Sequence, residues 1–162
     1  MILVALYQNQ TIVSGLIRFW TRSKYSHSEL WNTETGQSIS AQAEGVIIKD
    51  IPRLHTHGRG AKVDTFVYNG NLSTAQEALV WKLAKDKLGR KYDYRSVFIG
   101  FVFGVRESPA SRAKWFCSEV VVESFRRAGL PLLKRAASYE ISPRDLDQSA
   151  HLDFHKSYVI RK

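Results

Sequence analysis

Hydrophobic and polar positions along the chain predict several short strands and a small number of helices. The strand candidates are apolar or alternating runs bounded by turn-forming residues: 2–7, 25–31, 37–43, 45–51, 63–68 and 157–160. The turn-rich residues 32–36 join the second and third of these, which predicts a β-hairpin. Residues 52–60, which include His55 and His57, predict a polar loop.

Two segments predict helices with recognisable ends. The first starts at Ser73, which forms a capping-box pattern with Gln76, and ends at Gly89 in a left-handed conformation. The second covers residues 116–128, with its apolar positions towards one side and Gly129 as its stop. Residues 12–20 also have helical spacing of their apolar side chains.

The length of 162 residues and an apolar content of 44% suit one globular domain with a real core. Since no repeat or linker divides the chain, we expect a single α+β domain over residues 1–162, with an antiparallel sheet packed against helices. The longest uncharged apolar run, Val97–Val105, is too short to span a bilayer as a helix. The N-terminal residues lack the basic start and cleavage site of a signal peptide, so we expect a cytoplasmic protein.

The chain carries 24 Lys and Arg against 15 Asp and Glu, a formal charge of +9. Such a charge favours anionic partners such as nucleic acid, cell-wall polymer or an acidic membrane surface. The basic residues are scattered, and no zinc-ligand spacing or RNA-binding aromatic motif accompanies them. No specific nucleic-acid partner is therefore predicted, and a solvated basic surface explains the charge equally well.

Cys117 is the single cysteine, which excludes an internal disulfide and a thiolate zinc cluster. It falls in the first turn of the second predicted helix, where unpaired backbone N–H groups and the helix dipole favour a thiolate. A buried core thiol is the alternative interpretation, because free cysteine is among the most buried residue types. A core cysteine would more naturally lie on the apolar face in mid-helix.

His27 is the candidate base for Cys117. It lies in a polar stretch of a predicted strand, and period-2 alternation places His27, Glu29 and Trp31 on one face. The alternative is an ordinary histidine on a half-exposed strand. The other four histidines fall in a predicted loop or in the polar C-terminal region, and none has a comparable setting.

The sequence Tyr25-Ser26-His27-Ser28-Glu29-Leu30, followed about 90 residues later by Trp115-Phe116-Cys117-Ser118-Glu119-Val120-Val121, resembles a known family. It is similar to the circularly permuted NlpC-type papain-like cysteine hydrolases, which include YiiX-type amidases and are related to the lecithin:retinol acyltransferase family. In that group the histidine strand precedes the cysteine helix, as it does here. The resemblance covers nearly the whole chain and implies a permuted papain-like fold. As a short protein of this pattern without a signal peptide, the chain resembles the bacteriophage-encoded members of the group.

The family also commonly supplies a third polar residue, often Glu, from the strand paired with the histidine strand. A hairpin closing near residues 32 and 37 would place Gln42 opposite His27, with Ser40 and Glu44 on the same face. The position of the family glutamate is taken here by Ser40, which cannot act as a carboxylate. Two residues therefore remain as alternatives for the third role, Glu29 and Gln42.

The resemblance implies a cysteine amidase or peptidase in which His27 takes the Cys117 proton and an acyl-enzyme forms. Its substrate would bear an amide or ester, with peptidoglycan stem peptides as one candidate, and neither a cofactor nor a metal is required. A lipid acyltransferase or thioesterase, with Val97–Val105 as an acyl-binding loop, is the second hypothesis. The third is a catalytically idle basic binding module. The sequence leaves the oligomeric state open.

Overall fold

The computed structural model describes residues 1–8, 23–42, 44–55, 60–92, 114–115, 117–133 and 141–160. The strands are β1 (Ile2–Gln8), β2 (His27–Asn32), β3 (Gln37–Gln42), β4 (Gly45–Asp50), β5 (Leu54–His55), β6 (Ala61–Tyr68), β7 (Lys91–Tyr92), β8 (Lys114–Trp115) and β9 (Leu152–Ile160). The helices are α1 (Thr74–Lys85), α2 (Cys117–Arg127) and α3 (Pro143–Asp147). Within these ranges, no helix has the length and apolar character needed to cross a membrane.

Seven strands form one curled antiparallel sheet in the order β4-β3-β2-β1-β6-β9-β5, and β7 and β8 make a separate parallel pair. The sheet includes strands from both ends of the sequence, because β1 and β9 both pair with β6. The mixed α/β architecture with an antiparallel sheet and few helices agrees with the predicted fold class. The single domain over residues 1–162 stays a prediction.

Period-2 alternation gives the sheet two apolar faces. The buried residues of one face are Leu3, Ala5, Tyr7, Trp31 and Val63. The other face contacts the helices, and its members include Val4, Leu6, Leu30, Ile39 and Phe66. Helix α2 packs on β2 and β3 through Val120, Val121 and Phe125, which belong to the same cluster. This packing holds the N-terminus of α2 over the start of β2.

The predicted start of the first helix at Ser73 is confirmed, but its predicted end at Gly89 is wrong, because the helix ends at Lys85 and a turn follows. The second helix runs to Arg127, in agreement with its predicted stop at Gly129. Ser73 accepts a hydrogen bond from the backbone N–H of Gln76, and the Gln76 side chain bonds back to Ser73, as the capping box predicts. The turn after α1 reaches Gly89, with φ of 76°, and Gly129 after α2 has φ of 77°. Lys87 joins the two helices, because its buried ammonium donates to the Leu83 carbonyl and to Ser124 Oγ.

The predicted hairpin is confirmed, since Asn32 pairs with Gln37 and Leu30 with Ile39. The prediction of an entirely polar loop at 52–60 is wrong for Leu54–His55, which pair with the end of β9. The final strand begins at Leu152 and not at residue 157. Its middle side chains are exposed on both faces and therefore show no alternation. The helix predicted at 12–20 and the apolar run Val97–Val105 lie outside the described residues.

Candidate functional site

Cys117 is the first residue of α2 and is 8% exposed. The backbone N–H groups of a first helical turn have no partner within the helix, so they point towards this end of α2. Ser118 is fixed beside it, because its hydroxyl donates to the Ile141 carbonyl. The thiol therefore lies at a helix N-terminus that is anchored on both sides, by the sheet and by the segment before α3.

His27 is the first residue of β2, level with Tyr7 of β1, and its side chain is 19% exposed. The Tyr7 ring packs against the imidazole with 5.6 Å between ring centroids. His27 Nε2 lies 3.4 Å from Glu29 Oε1, an ion-pair distance that does not meet hydrogen-bond geometry. Cys117 also lies close enough to His27 for a side-chain hydrogen bond and for its charge to act on the imidazole.

Glu29 is a fully buried carboxylate whose two oxygens have different partners. Oε2 accepts hydrogen bonds from the Tyr7 hydroxyl at 2.6 Å and from the Trp31 indole N–H at 3.1 Å. Oε1 accepts a hydrogen bond from Ser40 Oγ at 3.3 Å and lies 2.7 Å from the ammonium of Lys49. Oε2 therefore has only uncharged donors, whereas Oε1 is shared by Ser40, Lys49 and His27.

The charges in this cluster act on one another's protonation. Burial lowers the pKa of His27, but the nearby Cys117 and then Glu29 outweigh burial and raise that pKa to about 9. Burial raises the pKa of the Cys117 thiol, but His27 and, less strongly, Ser28 hold it below its ordinary value. Burial likewise opposes ionisation of Glu29, yet His27 and Lys49 keep its pKa well below the usual range. Both shifts act in the direction of a thiolate beside an imidazolium.

Of the residues considered from sequence, the structure brings Cys117, His27 and Glu29 together. Gln42 comes level with His27 if the hairpin register is continued along both strands. Its side-chain amide donates to Ser40 Oγ at 3.1 Å, and Ser40 in turn donates to Glu29. Gln42 thus reaches the carboxylate through Ser40, and Glu29 is the residue that faces the imidazole directly.

Sequence reasoning missed two members of the cluster, Tyr7 and Lys49. Tyr7 looks like an ordinary core residue of an apolar strand, although its burial and then Glu29 raise its pKa. Lys49 falls in the predicted strand 45–51, where alternation places it on the same face as Ile47. The pairing of Lys49 with Ser38 places Lys49 on the sheet face that contains Glu29, and the sequence alone does not show this pairing.

A second polar cluster anchors the segment that leads into His27. The hydroxyl of Tyr25, which is fully buried, donates to Asp64 Oδ2 at 2.6 Å, and Ser157 donates to the other oxygen at 2.5 Å. Burial alone would raise the pKa of Asp64, but Ser157, Tyr25 and Lys24 together lower it. This ionised carboxylate on β6 therefore fixes the backbone two residues before the imidazole.

The fold has a known counterpart. No protein-family model matches the chain, and no curated protein matches its sequence. Among solved structures, the chain is similar to the metalloprotein YiiX from Escherichia coli O157:H7. The TM-score is 0.66 at 17% sequence identity, over 94% of this chain and 94% of that one. The chain has a YiiX-like fold.

Proposed function

We propose that this protein is a cysteine hydrolase of the papain-like type, with Cys117 as nucleophile, His27 as its base and Glu29 as the residue that orients His27. The observation that carries the proposal is the juxtaposition of the only thiol, at a helix N-terminus, with an imidazole that faces a buried carboxylate at 3.4 Å. A structural cysteine needs none of these neighbours. A YiiX-like fold suits the proposal, since that family often contains cysteine hydrolases.

The proposed reaction proceeds through an acyl-enzyme. His27 accepts the Cys117 proton, and the thiolate attacks the substrate carbonyl carbon to form a tetrahedral intermediate. Backbone N–H groups at the start of α2 donate to the oxyanion. When the intermediate collapses, the imidazolium returns its proton to the leaving amine or alcohol. His27 then takes a proton from water, the hydroxide attacks the thioester, and the acid product leaves as Cys117 regains its proton.

The substrates we propose are amides, with esters and thioesters as chemically easier analogues. Peptidoglycan stem peptides are a candidate because the formal charge of +9 attracts an anionic polymer. The charge favours the encounter with such a polymer and does not select the bond that is cleaved. Bond selection depends on residues around the thiol.

The description of YiiX as a metalloprotein raises the question of a metal here. Within the ranges that the structure describes, no three His, Cys, Asp or Glu side chains are grouped so that they could hold one. The two oxygens of Glu29 already face Tyr7, Trp31, Ser40, Lys49 and His27. These residues do not fit a metal site, and no step of the proposed reaction uses one.

The test is alkylation of the protein by iodoacetamide between about pH 4 and pH 9. Because Cys117 is the only cysteine, every label reports on it, and Cys117→Ser gives the blank. We expect fast labelling well below about pH 8.5, where a free thiol ionises. His27→Ala should slow it, whereas His55→Ala should not, because His55 is exposed on the edge strand β5. Labelling that follows an ordinary thiol and ignores His27 would refute the proposed pair.

Catalysis itself requires a second measurement. Release of a chromophore from acyl amide and ester substrates should require both Cys117 and His27, with Cys117→Ser reducing the rate to that of buffer. A protein that shows the low-pH labelling but turns over no acyl substrate would be a binding module with an intact thiol–imidazole pair.

A further inference from the structure

The ammonium of Lys49 contacts the same carboxylate oxygen of Glu29 that faces His27. The ammonium is 2.7 Å from this oxygen, Glu29 Oε1, which lies 3.4 Å from His27 Nε2. Because both groups contact one atom, the two nitrogens are no more than about 6 Å apart. The second carboxylate oxygen is held by Tyr7 and Trp31 and cannot turn to replace the first.

We propose that Lys49 is a positioning residue of the Cys117–His27 site, which shares Glu29 Oε1 with the imidazole and thereby limits how tightly His27 holds its proton. The inference rests on the proposed function and extends it to a residue on β4. Lys49 acts through Glu29, since no contact joins it to Cys117 among the described residues.

The geometry shows why the sharing has this effect. Lys49 makes the shorter contact to Oε1, so the carboxylate charge is partly balanced before it reaches His27. The imidazole contact is 3.4 Å long and outside hydrogen-bond geometry, as expected for an oxygen held by a stronger partner. Without the ammonium, the carboxylate charge would no longer be partly balanced and would stabilise the imidazolium more strongly.

Three titratable side chains face His27 from the described elements around it. Cys117 approaches from α2, Glu29 from the same strand and Tyr7 from β1, where its phenol stays protonated because burial and then Glu29 raise its pKa. Lys49 supplies the one permanent positive charge close to Glu29 from β4 among the described ion pairs. Its loss therefore changes the field at His27 in one direction only.

The sign and size of the effect follow. A positive charge disfavours an imidazolium, so its removal raises the pKa of His27. Full Coulomb interaction at about 6 Å would shift the pKa by roughly two units at an effective dielectric of 20. The Lys49 side chain is 38% exposed, and solvent screening reduces that figure. We expect a rise of about one pH unit.

The experiment measures the pKa of His27 by NMR on protein with ¹³C-labelled histidine, with His27→Gln to assign its signal among the five histidines. Lys49→Met should raise that pKa by about one unit. Lys49→Arg should leave it near the wild-type value, because it keeps the charge. The matched control is Lys156→Met, which removes a lysine on β9 that lies over the Tyr158 ring. If the methionine variant does not fold, Lys49→Gln provides the same neutral test with a polar end.

Alkylation of Cys117 in the same variants separates this inference from the proposed function. In Lys49→Met the high-pH limit of the rapid, pair-dependent labelling should move upward together with the His27 pKa. A wild type with a reactive pair and a Lys49→Met variant indistinguishable from Lys156→Met would overturn the role of Lys49 and leave the hydrolase proposal intact. A wild type without rapid low-pH labelling would instead overturn the hydrolase proposal.

Discussion

Replacing Glu29 by Gln removes the charge that faces His27 while keeping the shape of the side chain. The imidazolium then loses its anionic neighbour, so the pKa of His27 should fall. The thiolate of Cys117 is stabilised by that imidazolium, and the pKa of the thiol should therefore rise. The low-pH reactivity expected of the wild type should weaken in Glu29→Gln.

The structure sets the size of this effect. Coulomb's law at an effective dielectric of 20 gives about 5 kcal/mol for unit charges 3.4 Å apart. The rise of the His27 pKa from 6.5 to about 9 corresponds to only about 3 kcal/mol. Burial opposes that rise, Cys117 contributes more to it than Glu29 does, and Lys49 balances part of the carboxylate charge. We therefore assign to Glu29 about 1 to 2 pH units.

The assay is the NMR titration of His27, with the pH dependence of Cys117 alkylation as an independent readout. Glu34→Gln is the matched control, because Glu34 lies in the turn of the same hairpin with its side chain 69% exposed. The control should leave the His27 pKa unchanged. Glu29→Gln should also lower the free energy of unfolding by about 1–3 kcal/mol, since one of its donors loses an acceptor. A His27 pKa that stays the same or rises in folded Glu29→Gln would refute the reasoning.

Two further predictions concern stability. Gly45 has φ of 118°, and a Cβ there would lie 2.6 Å from the Arg90 carbonyl oxygen, so Gly45→Ala should lower the free energy of unfolding in urea by about 3 kcal/mol. Gly36→Ala, with φ of 68° and open space around it, should cost less than half as much in the same assay.

Local signals were enough to predict the elements that hold the thiol and the imidazole. Helix α2 is predicted by the spacing of its apolar residues and by the stop at Gly129. The β2–β3 hairpin is predicted by five consecutive turn-forming residues. Both signals lie within a few residues of the elements they define. The register that places Ser40 beside Glu29 followed from the same turn, because loop length fixes pairing in a hairpin.

The partners of Glu29 could not be predicted in the same way. Tyr7 and Lys49 come from strands on opposite sides of β2, and their approach depends on the order of strands in the curled sheet. That order is a non-local property, since β1 pairs with β2 although 18 residues separate Gln8 from His27 along the chain. The predicted length of strand β9 was too short for a related reason. Its exposed middle carries no alternation, and its place in the sheet comes from backbone pairing with β6.

The presence of a lysine beside the carboxylate has a consequence for proton transfer within the proposed pair. With Glu29 ionised and Lys49 protonated, the cluster is neutral both as thiol with imidazole and as thiolate with imidazolium. A proton can then move from Cys117 to His27 within a cluster that buries no net charge. With Glu29 alone, both states would bury one uncompensated negative charge, which is costly. The half-exposed Lys49 supplies the balancing charge at a smaller desolvation cost than a fully buried ammonium would, because its side chain stays 38% exposed while it contacts Glu29.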